Sequence, residues 1–208
     1  DRYVEDHFGK GTGGRFISLL GDAELDEGNL WEAVIEPQTR DLSNALWIVD
    51  LNRQSLDRVV PIIKSAELQQ QFETCGWQVI ELKYGRRLRE AYEKDGGEVL
   101  RRRIDEMPNQ LYQSLFGASE EVVHEALLRD LPLSDRTRLA GLLEEYQGCE
   151  GALIQDLGGH DLVDLLDAYA AARREMSRPT VIFAYTIKGW RLPMAGHPLN
   201  HSALLNEQ

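Results

Sequence analysis

Arg15-Phe16-Ile17-Ser18-Leu19-Leu20-Gly21-Asp22 is the stretch that decides how this chain folds. It is a short, nearly continuous apolar run that stops on Gly and Asp, the pattern of a strand buried in a parallel sheet. The same pattern recurs at Ala45-Leu46-Trp47-Ile48-Val49, which stops at Asp50 and Asn52, and Trp77 to Leu82 and Thr180 to Tyr185 after Pro179 read as further strands. Helical patterns lie between these runs. Asn29 can cap a helix whose Leu30, Trp31, Val34 and Ile35 fall at helical spacing up to about Arg40. Ser65 to Thr74 reads as the next helix, with Gly76 placed to close it in a left-handed turn. Arg2 to Phe8 reads as a helix end, followed by the loop Gly9-Lys10-Gly11-Thr12-Gly13-Gly14. Strands alternating with helices predict an α/β fold, a doubly wound, mostly parallel sheet with helices on both faces.

One stretch breaks the alternation. From Gly85 to Gly158 there are several helical patterns and no convincing strand, so a helical insertion is expected over about residues 86–157. Asp161 then caps a helix containing Leu162, Leu165, Leu166 and Tyr169. With 208 residues, 42% hydrophobic and 28% charged, the chain can bury a substantial core and is too apolar for disorder. Its formal net charge of −12 repels nucleic-acid backbones and anionic membrane surfaces, so any phosphate it holds needs a metal or a nest of N–H groups. Cys75 and Cys149 have neither disulfide-framework nor metal spacing, no apolar run approaches a membrane span, and no signal peptide opens the sequence. A cytoplasmic location is expected. Opening at Asp1 within a helix pattern, the chain is read as a fragment of something longer.

In an open parallel sheet, ligands bind just beyond the carboxyl ends of the strands. That rule selects Gly21-Asp22-Ala23-Glu24, then Asn52-Arg53-Gln54, then the segment after Tyr185 that holds Lys188, His197 and His201. Asp22 and Asn52 are hard oxygen donors, and a nearby backbone carbonyl would add a third; such a set suits Mg²⁺, which completes its octahedron with water and substrate phosphate. N–H groups after Asp22 can meet an anion. The commoner fate of such residues is a helix cap at Asp22 and an Asx turn at Asn52.

Gly21-Asp22-Ala23, followed after 28 residues by Asn52, resembles the Gly-Asp-Gly…Asn signature of thiamine diphosphate enzymes. The stretch from Gly21 to Ala33 is similar to the transketolase superfamily, and the similarity continues through Asp50 to Asp57, Gly159-His160-Asp161 and Thr186-Ile187-Lys188-Gly189. Arg2-Tyr3-Val4-Glu5-Asp6, Cys75-Gly76-Trp77 and the long insertion resemble, within it, the homodimeric bacterial type of pyruvate dehydrogenase decarboxylating component. The resemblance implies a single thiamine diphosphate domain over residues 1–208, without the pyrimidine-binding domain. Asp22 and Asn52 are implied as Mg²⁺ ligands, with the backbone carbonyl of Gln54. Gly21, Asp22, Ala23, Glu24, Asn52 and Lys188 are implied as cofactor contacts, and His201 as the catalytic loop histidine, with His197 its rival. The activity implied is decarboxylation of a 2-oxo acid, pyruvate, with transfer of the acyl group to a lipoyl acyltransferase, in a homo-oligomer. The isolated chain is expected to be inactive and to self-associate through exposed apolar surface. The alternatives are a transketolase moving two-carbon units and a non-catalytic module kept for assembly. Ala23 departs from the signature glycine; its methyl is harmless at negative φ and costs about 1 kcal/mol in a left-handed backbone.

Other signals read as structural. Gly9 to Gly14 satisfies G-x-G-x-x-G but precedes a strand, which makes it a surface loop. Asp22, Glu24 and Asp26 lack the Gly and Glu that a calcium loop requires. Pro198 separates His197 from His201 and removes the helix a zinc pair needs. His160 reads as a buried or turn histidine, Arg101 to Arg103 as a solvated helix face, and Trp31 and Trp47 as core.

Overall fold

The structure is a computed structural model that describes residues 2–9, 13–55, 58–59, 65–197 and 200. Helix α1 (Arg2–Phe8) precedes β1 (Phe16–Gly21), a 3₁₀ stretch (Asp22–Asp26), α2 (Gly28–Ile35) and β2 (Ala45–Leu51). A small antiparallel pair, β3 (Gln54–Ser55) and β4 (Arg58–Val59), leads to α3 (Ser65–Thr74) and β5 (Gln78–Leu82). Helices α4 (Arg86–Tyr92), α5 (Gly97–Glu106), α6 (Asn109–Ser114), α7 (Glu120–Leu128), α8 (Leu133–Glu144) and α9 (Glu150–Ile154) follow without a strand, then α10 (Leu162–Arg174) and β6 (Thr180–Tyr185).

The four long strands form one all-parallel sheet in the order β1-β2-β6-β5, which is the α/β architecture expected. Movement across the sheet runs from β1 through β2 to β5 and then reverses to place β6 between them. Because crossovers keep one hand, reversal puts the return helix on the opposite face. The side chains agree. Val49, Leu51, Val181, Phe183 and Tyr185 pack with Val34 of α2 and Phe72 of α3, whereas Leu46, Ile48, Ile80 and Ile182 pack with Leu165, Ala168 and Ala172 of α10. Every residue of β6 is buried, as a central strand requires. By contrast β1 is an edge strand among the described residues, and its Phe16, Ile17 and Leu19 are more than half exposed. Its apolar run predicts burial, but the sequence of a strand does not say whether it has a neighbour on both sides.

Local chemistry sets the element ends. Helix α2 stops at Ile35 and not near Arg40, because Glu36 precedes Pro37 and takes ψ 122°; a separate 3₁₀ turn covers Pro37–Asp41. Asn29 lies inside α2, and Glu27 occupies the N-cap position without a side-chain cap bond. Gly76 closes α3 at φ +87°, as its position predicts. Asp161 caps α10 by accepting from Val163 N at 3.0 Å and Asp164 N at 3.4 Å. Trp31, Trp47, Phe72 and Trp77 form one aromatic cluster, with the Trp47 and Trp77 rings 4.8 Å apart.

Helices α4 to α9 bury their own core, which includes Leu100, Ile104, Leu127, Leu139 and Leu143. The two ends of this stretch meet: Gly85 N donates to Asp156 O at 2.7 Å and Gly158 N to Lys83 O at 3.2 Å. The run Arg101 to Arg103 is not simply a solvated face. Arg102 pairs with Asp135 of α8, and Arg103 Nη2 donates at 2.7 Å to Ala126 O near the end of α7, where orphan carbonyls collect.

Candidate functional site

The parallel register places Gly21 opposite Asp50, and Asp50 opposite Ala184, so the residues that follow β1, β2 and β6 emerge at the same sheet edge. Asp22 follows β1 directly. Its Oδ1 accepts from Ala23 N at 2.9 Å, and its Oδ2 crosses to accept from Arg53 N at 3.2 Å. The carboxylate therefore sits against the turn that carries Asn52 and Gln54. In that turn Asn52 Oδ1 accepts from Gln54 N at 3.0 Å, an Asx turn, while Asn52 Nδ2 donates to Asp50 Oδ2 at 2.9 Å. The hydroxyl of Thr186, just past β6, donates to the other oxygen of Asp50. The turn after β1 is closed by Gly21 N donating to Glu24 Oε1 at 3.0 Å and is tied to α2 by Trp31 Nε1 donating to Leu25 O at 2.7 Å.

The electrostatics at this edge are crowded with acids. Burial and the Asp50 charge push Asp22 up to about 6, against the pull of the Ala23 and Arg53 N–H groups and the Lys188 ammonium. Lys188 is thus close enough to act on Asp22; its carbonyl accepts from Asn200 Nδ2 at 2.9 Å. His160 Nε2 accepts from Ile187 N at 2.8 Å, and its ring stacks on Trp190 at 4.1 Å. Burial, against the Asp50 charge and with Arg191 nearby, pushes His160 down to about 4 and keeps the imidazole neutral, in line with a buried or turn histidine before the Asp161 cap.

The structure thus brings Gly21, Asp22, Ala23, Glu24, Asn52, Gln54 and Lys188 to one edge. Ala23 is not among the positive-φ residues, so its methyl carries no backbone strain in the signature position. His197 reaches this edge through its carbonyl, which accepts from Gln54 Nε2 at 3.4 Å. His201 lies outside the described residues. Among the described residues no group of three or more His, Cys, Asp or Glu is arranged for a metal; the predicted set of carboxylate, amide and carbonyl oxygens is of another kind. Sequence reasoning overlooked Asp50, although its place at the end of β2 marks it by the same strand-end rule that selected Asn52. It also overlooked Gln113, whose Nε2 donates to Asn52 O and Arg53 O, both at 3.3 Å; nothing local in the sequence marks a contact across 60 residues.

Residues 8–94 match the family model described as transketolase, thiamine diphosphate binding domain. Over nearly the whole chain the similar curated proteins are pyruvate dehydrogenase E1 components. That of Corynebacterium glutamicum is 32% identical over 197 residues, 92% of this chain and 20% of the relative. That of Escherichia coli K12 is 29% identical over 204 residues, 96% of this chain and 22% of the relative. The chain therefore spans about a fifth of the length of these relatives. A transketolase variant of Pichia stipitis, among solved structures, aligns over 92% of this chain and 18% of its own at 16% identity and a TM-score of 0.48. The family resemblance read from the motifs is borne out: the thiamine diphosphate binding domain of the transketolases is what residues 8–94 match, and pyruvate dehydrogenase E1 components are what the chain as a whole resembles.

Proposed function

We propose that this chain is the diphosphate- and metal-holding part of a thiamine diphosphate enzyme that decarboxylates pyruvate and passes the acyl group to the lipoyl arm of an acyltransferase. The observation that carries the reading is the Asp22 carboxylate resting on Arg53 N–H, which joins the turns after β1 and β2 at Asn52 to Gln54. The donors fit a hard divalent ion: each Asp22 oxygen keeps lone-pair capacity beyond its one backbone bond, as does Asn52 Oδ1, and a cation offsets two neighbouring acids, Asp22 and Asp50. Asp22, Asn52 and the Gln54 carbonyl would hold Mg²⁺. Ala23 and Glu24 would present N–H groups to the diphosphate, although Ala23 N–H is turned to Asp22 Oδ1 and has to be shared with that bond. Lys188 adds a positive charge on the same side.

When bound, thiamine diphosphate supplies the electron sink for loss of carbon dioxide from a 2-oxo acid. The chain's share is to anchor the phosphate end and fix its depth against the sheet. A pyrimidine-binding domain, from the same polypeptide or a partner in a homo-oligomer, would complete the site, and His201 would serve the transfer to the lipoyl arm. The choice of pyruvate over sugar phosphates is supported by the relatives, which are pyruvate dehydrogenase components. Calorimetric titration of Mg²⁺ and thiamine diphosphate into the chain and into Asp22→Ala tests the reading. Binding lost in the variant is expected; binding indifferent to Asp22, or none at all, rejects it. Pyruvate turnover by the 208-residue chain alone would contradict the division of labour.

A further inference from the structure

The turn Asn52–Gln54 is not held by the sheet alone. Helix α6 presents Asn109, Tyr112 and Gln113 at i, i+3 and i+4, one face, and all three grip this turn. Arg53 Nη1 donates to Asn109 Oδ1 at 3.2 Å, and the Arg53 guanidinium lies 4.4 Å from the centre of the Tyr112 ring. Gln113, only 3% exposed, donates from Nε2 to the carbonyls of Asn52 and Arg53, and its Oε1 accepts from Gln54 Nε2 at 2.6 Å. One buried amide thus engages three consecutive residues. Arg53 also has φ +63°, a left-handed conformation that is costly for a non-glycine residue and persists only where surroundings impose it. A neutral amide can donate to two carbonyls without setting a positive charge beside a bound cation; a Lys or Arg in its place could not.

From this clasp we infer that Gln113 is a positioning residue for the metal site: through the backbone of Asn52 to Gln54 it sets the metal-holding turn, so that the helical insertion determines metal affinity. The inference rests on the function proposed above. It extends to the loop after β6, because Gln54 Nε2 also reaches His197 O, and a side chain at Gly196 would meet Phe116 and, at 3.0 Å, Gln113 O.

Mn²⁺ serves as the probe, followed by electron paramagnetic resonance in the presence of thiamine diphosphate. The full chain is compared with Asp22→Ala, with Gln113→Met, which has a matching length and no hydrogen bonds, and with Gln54→Ala, which removes the amide–amide bond of the clasp but keeps the bonds from Gln113 to Asn52 and Arg53 and the Gln54 backbone carbonyl. Removal of groups that orient metal ligands commonly costs about 10- to 100-fold in affinity, and a loss in that range is expected for Gln113→Met, with an altered line shape for the bound ion. Gln54→Ala, expected to fold whatever becomes of Gln113→Met, should weaken binding in the same direction. A purely structural role would lower the urea midpoint and leave the folded protein's affinity and line shape intact, which overturns the inference. No Asp22-dependent binding in the parent chain rejects the proposed function and this inference with it; Asp22-dependent binding undiminished in both clasp variants rejects this inference alone.

Discussion

At Ala23 and Asp22 the chain shows how little room a single residue has to be misread. The methyl of Ala23 occupies a signature glycine position, yet the backbone there has ordinary φ, so the substitution is sterically silent. Asp22 is both the turn residue of the plain structural reading and the proposed ligand, because a carboxylate can satisfy two N–H groups and still face a cation. His160 yields a prediction at this scale. An unfolded imidazole titrates at about 6.5, while burial holds the folded one at about 4. Between those values the unfolded state binds more protons, so the contribution of His160 to stability is complete above about pH 6.5 and declines as pH falls towards about 4. Urea midpoints of the parent minus those of His160→Gln should fall across that window. A difference that stays flat would refute the buried, neutral assignment.

Helices and turns obey their neighbours as much as their own propensities. Gly96 and Gly148 both have left-handed backbones, at φ +82° and +75°. A methyl at Gly96 would come within 2.5 Å of Arg138 O, whereas nothing lies within 4 Å at Gly148. Gly148→Ala should therefore cost about 1 kcal/mol from backbone strain, and Gly96→Ala about 3 kcal/mol once the collision with α8 is added. Urea denaturation of the two variants decides; equal losses would show that packing between α5 and α8 is looser than described. The cap on α10 gives a second contrast. Asp161 accepts from Val163 N, Asp164 N, Arg86 N and Arg86 Nε, so Asp161→Ala should cost about 2 kcal/mol. Asp161→Asn keeps one oxygen for the cap but gives up both bonds to Arg86, the backbone N–H as well as the half-exposed guanidinium, so about 1 kcal/mol is expected, less than for alanine.

For the molecule as a whole, the open edge governs behaviour in solution. Ile17 and Leu19 of β1 are 62% and 72% exposed, and Leu162 and Leu166 of α10 are 74% and 65% exposed. An apolar edge strand of this kind is a template for pairing with another chain. Sedimentation analysis should show concentration-dependent self-association that Leu19→Lys reduces; a monomer at every concentration would contradict it. At the same scale, no helix among the described residues is long and apolar enough to cross a membrane.

Much of the fold was legible beforehand because its determinants are local. Apolar runs ending on Gly-Asp and Asp-Leu-Asn mark β1 and β2, Gly76 and Asp161 mark helix ends, and the absence of such runs between Gly85 and Gly158 marks the helical stretch. The strand-end rule likewise located Asp22 and Asn52, since a parallel sheet must deliver them to one edge. Strand order, the exposure of β1, and the reach of Arg102 and Arg103 to other helices were decided only by the tertiary structure. So was the grip of Gln113 on Asn52 and Arg53. The physical reason is range. A strand or a cap is chosen by residues within a few positions, whereas an edge, an ion pair between helices, or a buried amide donating to a distant carbonyl exists only after the chain has closed on itself.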